Sequence, residues 1–173
     1  IFLFALIATV LSVEADELQI NGKFFDSSLT EKMPRGWYVL NPKSSETGKT
    51  SGIKEENSYA ISIVITQNAD TFIYFRGMFD VKEGDILTVS AEVRGKGNLR
   101  FWYFGYTADE SYIRTDAGEP QKVSLEFSLL TMSMKILGTE KRKVEKIRVI
   151  VMAKSGADVV LRNIKAELMP AQK

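Results

Sequence analysis

The stretch Asn98 to Thr107, NLRFWYFGYT, limits the fold more than any other part of the chain. It reads as a strand that is apolar on both sides. Side chains alternate along a strand, so Leu99, Phe101 and Tyr103 point one way and Trp102, Phe104 and Tyr106 the other. A strand with one wet face carries a single apolar row. The second row marks a surface that is either covered by another part of the chain or reserved for a ligand.

The residues around it carry the same period. Tyr59–Thr66, Thr71–Val81, Asp85–Arg94, Val123–Leu129, Val144–Ala153 and Asp158–Leu168 are rich in Val, Ile, Phe, Tyr and Thr and read as strands. Turn residues separate them: Asn68-Ala69-Asp70, Glu83-Gly84-Asp85, Gly95-Lys96-Gly97-Asn98, Asp116 to Pro120 and Ser155-Gly156. No capped helix is evident. Strands of this length and spacing predict an all-β protein, a two-sheet antiparallel β-sandwich or jelly roll. Alternation places Leu87, Val89, Ala91 and Val93 inward, with Thr88, Ser90, Glu92 and Arg94 outward. It likewise sets Ile73 inward and Phe72, Tyr74 and Arg76 outward, and opposes Ile147, Val149 and Val151 to Lys146, Arg148 and Ile150. The last strand is expected to break step near Arg162-Asn163.

Before Tyr59 the pattern is looser. Residues 1–15, IFLFALIATVLSVEA, are an apolar run of signal-peptide length ending in small residues spaced for cleavage. The run is too short to span a bilayer comfortably. No Met or basic segment precedes Ile1, so the leader is expected to begin upstream of it. Residues 16–173 then form one secreted domain, extracellular or periplasmic, with no lipid anchor. Leu18 to Phe25 reads as a short strand with an Asn-Gly turn. Residues 26–57 read as a wrapped loop with one short strand, anchored by Trp37-Tyr38-Val39-Leu40, with Trp37 expected in the core.

Composition closes several routes to function. The chain has 23 Lys and Arg against 22 Asp and Glu. Losing the leader removes only Glu14, which leaves a net charge of +2 and argues against a polyanion, nucleic acid included, as the partner. There is no Cys, and a domain of this size can do without disulfides. There is no His, which removes His-based triads, His general bases and most catalytic zinc sites.

Several segments in order resemble a known pattern. They are Asn21-Gly22-Lys23-Phe24, Gly36-Trp37-Tyr38, Phe79 to Gly84, Leu87 to Gly95, and Val159-Val160-Leu161-Arg162-Asn163-Ile164. Together they resemble the galactose-binding-like jelly rolls, and are most similar to carbohydrate-binding modules of families four, nine and twenty-two. The resemblance implies a sugar site on one sheet or in the loops at one end. It also implies a structural calcium held partly by acids that follow the N-terminal Phe and precede the C-terminal Asn. Phe25 and Arg162 stand at those places here, although Asp26 lies one residue further on, so no metal is expected.

The candidate ligand-binding residues are Trp102, Tyr74, Tyr106, Arg76, Glu92 and Arg94, with Phe104 in the same outward set. If neighbouring strands pair, these line one face. Flat rings suit the C–H faces of sugars, and Arg and Glu suit the hydroxyls. Tyr112 and Arg114 are candidates for its rim. The first reading is a non-catalytic carbohydrate-binding module for a polysaccharide or oligosaccharide. A second is a protein-interaction or surface-assembly domain with that face buried on a partner. A third is a small polysaccharide-active enzyme, for which Asp109, Glu110, Asp116 and Glu119 offer carboxylates without a fixing motif.

Overall fold

The structure, a computed structural model, describes residues 15–24, 33–40, 48–55, 58–66 and 70–171. All of the expected leader except Ala15, together with Phe25, Asp26 and the Asn68-Ala69 turn, lies outside the described residues.

Among the described residues the chain forms strands only, and every pairing is antiparallel. In chain order they are β1 (Asp16–Glu17), β2 (Trp37–Leu40), β3 (Gly48–Glu55), β4 (Ser58–Ile65), β5 (Thr71–Phe75), β6 (Phe79–Asp80) and β7 (Ile86–Lys96). Then come β8 (Asn98–Tyr106), β9 (Tyr112–Ala117), β10 (Gln121–Lys122), β11 (Ser128–Lys135), β12 (Lys146–Ala153) and β13 (Asp158–Met169). One sheet runs β11-β7-β13-β4-β3, with β1 added to β13. The other runs β10-β8-β12-β5-β2, with β9 also on β8 and β6 also on β12.

The inward rows meet between the sheets. Leu87, Val89, Ala91 and Val93 of β7 and Val159 and Leu161 of β13 face Phe101 and Tyr103 of β8 and Ile147, Val149 and Val151 of β12. Each of these is 1% exposed or less. Full burial of one such aliphatic or aromatic side chain stabilises the fold by about 1.5–3 kcal/mol. Trp37 joins this core as expected. It is 2% exposed, packs edge-on against Phe24 and Phe75, and its indole Nε1–H donates to the Ile20 carbonyl at 3.0 Å.

Four expectations need correction. Residues 48–55 are not loop but an edge strand, β3, paired along its length with β4; a Gly/Ser/Thr/Lys composition hides a strand that has only one packed side. Thr71–Val81 is two strands, because the chain leaves the sheet at Arg76–Met78 between β5 and β6. Residues 123–127 are not a strand; the alternation there belongs to β11, which begins at Ser128. The N-terminal strand is confined to Asp16–Glu17.

A fifth expectation, that neighbouring strands pair, affects the site. It fails at Gly95-Lys96-Gly97-Asn98. Gly95 (φ +130°) and Gly97 (φ +106°) carry the chain across from one sheet to the other. Both positions require left-handed backbone that side chains disfavour. β7 and β8 therefore lie in opposite sheets, and their outward rows point in opposite directions.

Candidate functional site

The outer face of the β10-β8-β12-β5-β2 sheet carries the second apolar row of β8. Register sets Tyr38, Tyr74, Ile150, Trp102 and Ala117 side by side across five strands, β2, β5, β12, β8 and β9. The next row holds Arg148, Phe104 and Thr115, and the one after it Lys146, Tyr106 and Tyr112. On the other side stand Leu40, Phe72, Met152 and Arg100. Each of the strand neighbours Ile73, Phe101, Tyr103, Val149 and Val151 is core, so alternation fixes these side chains outward.

This face is not an ordinary wet one. Ile150 is 0% and Met152 1% exposed although both point away from the core. Large side chains flank them in the register, and several of these form a continuous ladder across the sheet. Arg76 lies 5.9 Å from the centre of the Tyr38 ring, and Tyr38 stacks on Tyr74 at 5.8 Å. The Arg148 guanidinium is 5.8 Å from the Tyr74 ring and 5.3 Å from that of Tyr106. Tyr106 meets Tyr112 edge-on at 6.0 Å, and Tyr112 meets Phe104 at 6.1 Å. Beside the ladder, Phe72 and Trp102 pack edge to face at 5.4 Å. The ladder spans four interstrand gaps, roughly 19 Å at about 4.8 Å each. Its two outer tyrosines are open, Tyr38 at 41% and Tyr112 at 54% exposure.

Several donors on this face are not used by the fold. Trp102 Nε1 and the Nε atoms of Arg100 and Arg148 are buried without a hydrogen-bond partner. Indole and guanidinium nitrogens only donate, so an acceptor-rich surface complements them. Burial raises the Tyr106 pKa above the usual phenol value, and the Arg148 charge acts against that shift.

Trp102, Tyr74, Tyr106 and Arg76 are therefore brought together, with Phe104 and Tyr112. Glu92 and Arg94 are not, because they stand on the outer face of the opposite sheet. There Arg94 pairs with Glu55 at 2.6 Å, and Arg162 pairs with Glu92 at 2.8 Å and with Glu55 at 3.5 Å. Asn163 Nδ2 donates to the second Glu92 oxygen at 3.0 Å, and both guanidiniums lie over the Phe127 ring. Hydrogen bonds from Arg162 and Asn163 hold the Glu92 carboxyl below the usual range. The calcium implied by the resemblance does not fit these residues. Arg162 brings a fixed cation to the carboxylates, and no cluster of three His, Cys, Asp or Glu exists among the described residues.

The loop carboxylates also have partners. Asp109 accepts from Thr107 and Ser111, Glu110 pairs with Lys146, and Asp116 pairs with Arg114 at 2.8 Å. Arg114 is thus tied to Asp116 and to the Gly138 carbonyl rather than to the rim. Cavities of about 690 Å³ near Asn21, Glu92 and Asn163, and of about 670 Å³ near Asp80, Lys82 and Lys143, lie apart from Trp102 and Tyr74.

The sequence reading missed Tyr38, Arg100 and Arg148 as members of the face. Their outward positions were legible from alternation. What was not legible is that β12 lies between β5 and β8, which draws Arg148 between two tyrosines.

No protein-family profile matches the chain, and no curated protein sequence does. Solved structures do share its architecture. The Stig cyclase Fisc from Fischerella sp. TAU, in complex with (3Z)-3-(1-methyl-2-pyrrolidinylidene)-3H-indole, is 13% identical with a TM-score of 0.66. That match covers 92% of this chain and 100% of the cyclase. The CBM22-1 xylan-binding domain of Paenibacillus barcinonensis Xyn10C is 11% identical with a TM-score of 0.56, over 82% of this chain and 91% of that one. A CBM4 structure is 7% identical with a TM-score of 0.52, over 86% and 98%. The fold is a two-sheet jelly roll, of the galactose-binding-like kind that carbohydrate-binding modules and the cyclase share. At these identities the likeness is one of fold, and the jelly roll also serves a cyclase.

Proposed function

We propose that this jelly roll is a secreted, non-catalytic module that binds a polysaccharide or oligosaccharide on the outer face of the β10-β8-β12-β5-β2 sheet. The observation that carries the reading is the cross-sheet ladder of Tyr38, Tyr74, Tyr106 and Tyr112. It sets rings on four of five adjacent strands, open at Tyr38 and Tyr112 and buried at Tyr106, with Trp102 beside it and the Arg76 and Arg148 guanidiniums against its rings. Sugar rings offer apolar C–H faces to aromatic rings and oxygen acceptors to Trp and Arg donors. A xylan-binding domain of the same fold accords with a glycan ligand. Glu110 and Asp116, two of the loop carboxylates, are bound in ion pairs, which supports binding rather than glycoside hydrolysis.

The test is affinity electrophoresis of residues 16–173 in gels holding soluble polysaccharides, beside Trp102→Ala and Tyr112→Ala. Circular dichroism checks that each variant is folded. Retardation by one class of glycan, weakened at least about tenfold in folded Trp102→Ala, is the expected result; loss of a stacked ring contributes on this scale. Absence of retardation across neutral and charged glycans would sink the proposal and favour a protein partner.

A further inference from the structure

Six arginines of the strands and their ends fall into two groups. Arg94 of β7, Arg114 of β9 and Arg162 of β13 each have a carboxylate oxygen within 2.6–2.8 Å. Among the described residues, Arg100 of β8 and Arg148 of β12 have none, and neither does Arg76 at the end of β5. These three stand on the aromatic face. Continuing the β8–β9 register would bring Glu119 beside Arg100, yet no ion pair joins them. Two acids at the margins are already engaged, Glu110 with Lys146 at one end and Asp70 with Lys154 at the other.

A half-buried guanidinium without a counter-charge is costly to keep. Here Arg100 and Arg148 are half-buried, their Nε atoms are buried without a partner, and the charges have the same sign. A purely structural role on this face would be met as well by Met or Leu, as Met152 and Ile150 show beside them. The opposite sheet makes the contrast clear. Its outer face is more polar, and there the protein supplies Glu55 and Glu92 to its arginines.

Resting on the carbohydrate reading above, we infer that the ligand is an anionic glycan, whose carboxylate or sulfate groups are met by Arg76, Arg100 and Arg148 while its sugar rings lie on the tyrosine ladder. Guanidinium is suited to both oxyanions, because its planar fork donates two parallel hydrogen bonds. The rings hold the guanidiniums in place. Arg148 is fixed between Tyr74 and Tyr106, and Arg76 over Tyr38. Charge then selects the glycan, and the rings supply contact area.

Isothermal titration calorimetry tests this with residues 16–173 and five ligands. They are polygalacturonate, the same polymer with its carboxyl groups reduced to alcohols, a sulfated galactan, neutral xylan and a single-stranded oligonucleotide. The expected result is binding to the carboxylated or the sulfated polymer, which names the oxyanion, and weakening by about tenfold or more on carboxyl reduction. Raising salt from about 0.05 to about 0.5 M should weaken binding further. Arg148→Gln and Arg76→Gln should each lower affinity for the charged polymer. Arg76 is exposed, so that variant keeps the test valid if Arg148→Gln does not fold. Equal, salt-independent binding of xylan and the reduced polymer would overturn the inference and leave the carbohydrate reading standing. Binding of the oligonucleotide as tight as that of any glycan would overturn the inference in favour of a nucleic acid. Binding of no glycan would overturn both.

Discussion

Tyr103 brings a polar group to the edge of the core. Its ring is fully buried between the sheets, and its hydroxyl is shared between Asp116 Oδ2 at 3.1 Å and the Lys135 carbonyl at 3.3 Å. The Leu137 amide donates to the same oxygen at 3.2 Å, so one residue of β8 ties β9 to the end of β11. Burial, with the Asp116 charge adding to it and the Leu137 amide opposing, pushes the phenol up to about 12, from 10.0 in the unfolded chain. A raised pKa means that the folded state holds the proton more tightly. The stability this contributes is complete below pH 10 and lost as pH rises through 10 towards 12. Denaturant titrations across that range should therefore show a steep fall in stability that Tyr103→Phe makes shallower. At neutral pH the same variant should be weaker by about 1–3 kcal/mol, since Leu137 and Asp116 lose a buried partner. An identical alkaline slope in both proteins would refute this account.

At the scale of elements, the link from β7 to β8 decides the architecture. A Cβ on Gly95 would sit 2.1 Å from the Asp158 carbonyl oxygen and 2.9 Å from Val159 Cα, on backbone with φ of +130°. Nothing there is a flexible side chain that can swing aside. Gly95→Ala should cost at least about 2 kcal/mol, from strain and separation of β7 and β13. Gly156 serves as the control, with φ of +78° and open space around its Cβ position. Gly156→Ala should cost only about 1 kcal/mol, for the left-handed backbone alone. Urea melts of the two variants measure the difference, and equal losses would show that contact with β13 does not matter. The bulge in β13 works at the same scale. Asn163 takes φ of +51°, and the register shifts between Arg162 and Lys165. Arg162 and Asn163 consequently both reach Glu92.

Across the whole molecule, neighbours in space are distant in sequence. β1 pairs with β13, β4 with β13, and β5 with both β2 and β12. Loop closure must be met before these contacts form, so refolding should take milliseconds to seconds rather than microseconds. Stopped-flow fluorescence can follow it through Trp37, which is buried in the core. Refolding complete within microseconds would contradict the topology. The same topology separates two kinds of surface. One outer face spends its charges on itself through Glu55, Glu92, Arg94 and Arg162, while on the other Arg76, Arg100 and Arg148 stand among rings with no ion pair among the described residues.

The sequence by itself determined the class of fold, the strands from Tyr59 onward to within a few residues apart from 71–81, 123–129 and the missed β9 and β10, and the inward and outward rows. It also marked Trp37 for the core, the irregularity at Arg162-Asn163 and the double apolar character of β8. These follow from a two-residue period and from turn chemistry, which are local. Only the tertiary structure decided which rows share a face. It placed β12 between β5 and β8, added Tyr38, Arg100 and Arg148 to the site, and sent Glu92 and Arg94 to the opposite side. Strand partners are chosen by closure of the two sheets around one core, through contacts far apart in the chain. No local period records that choice.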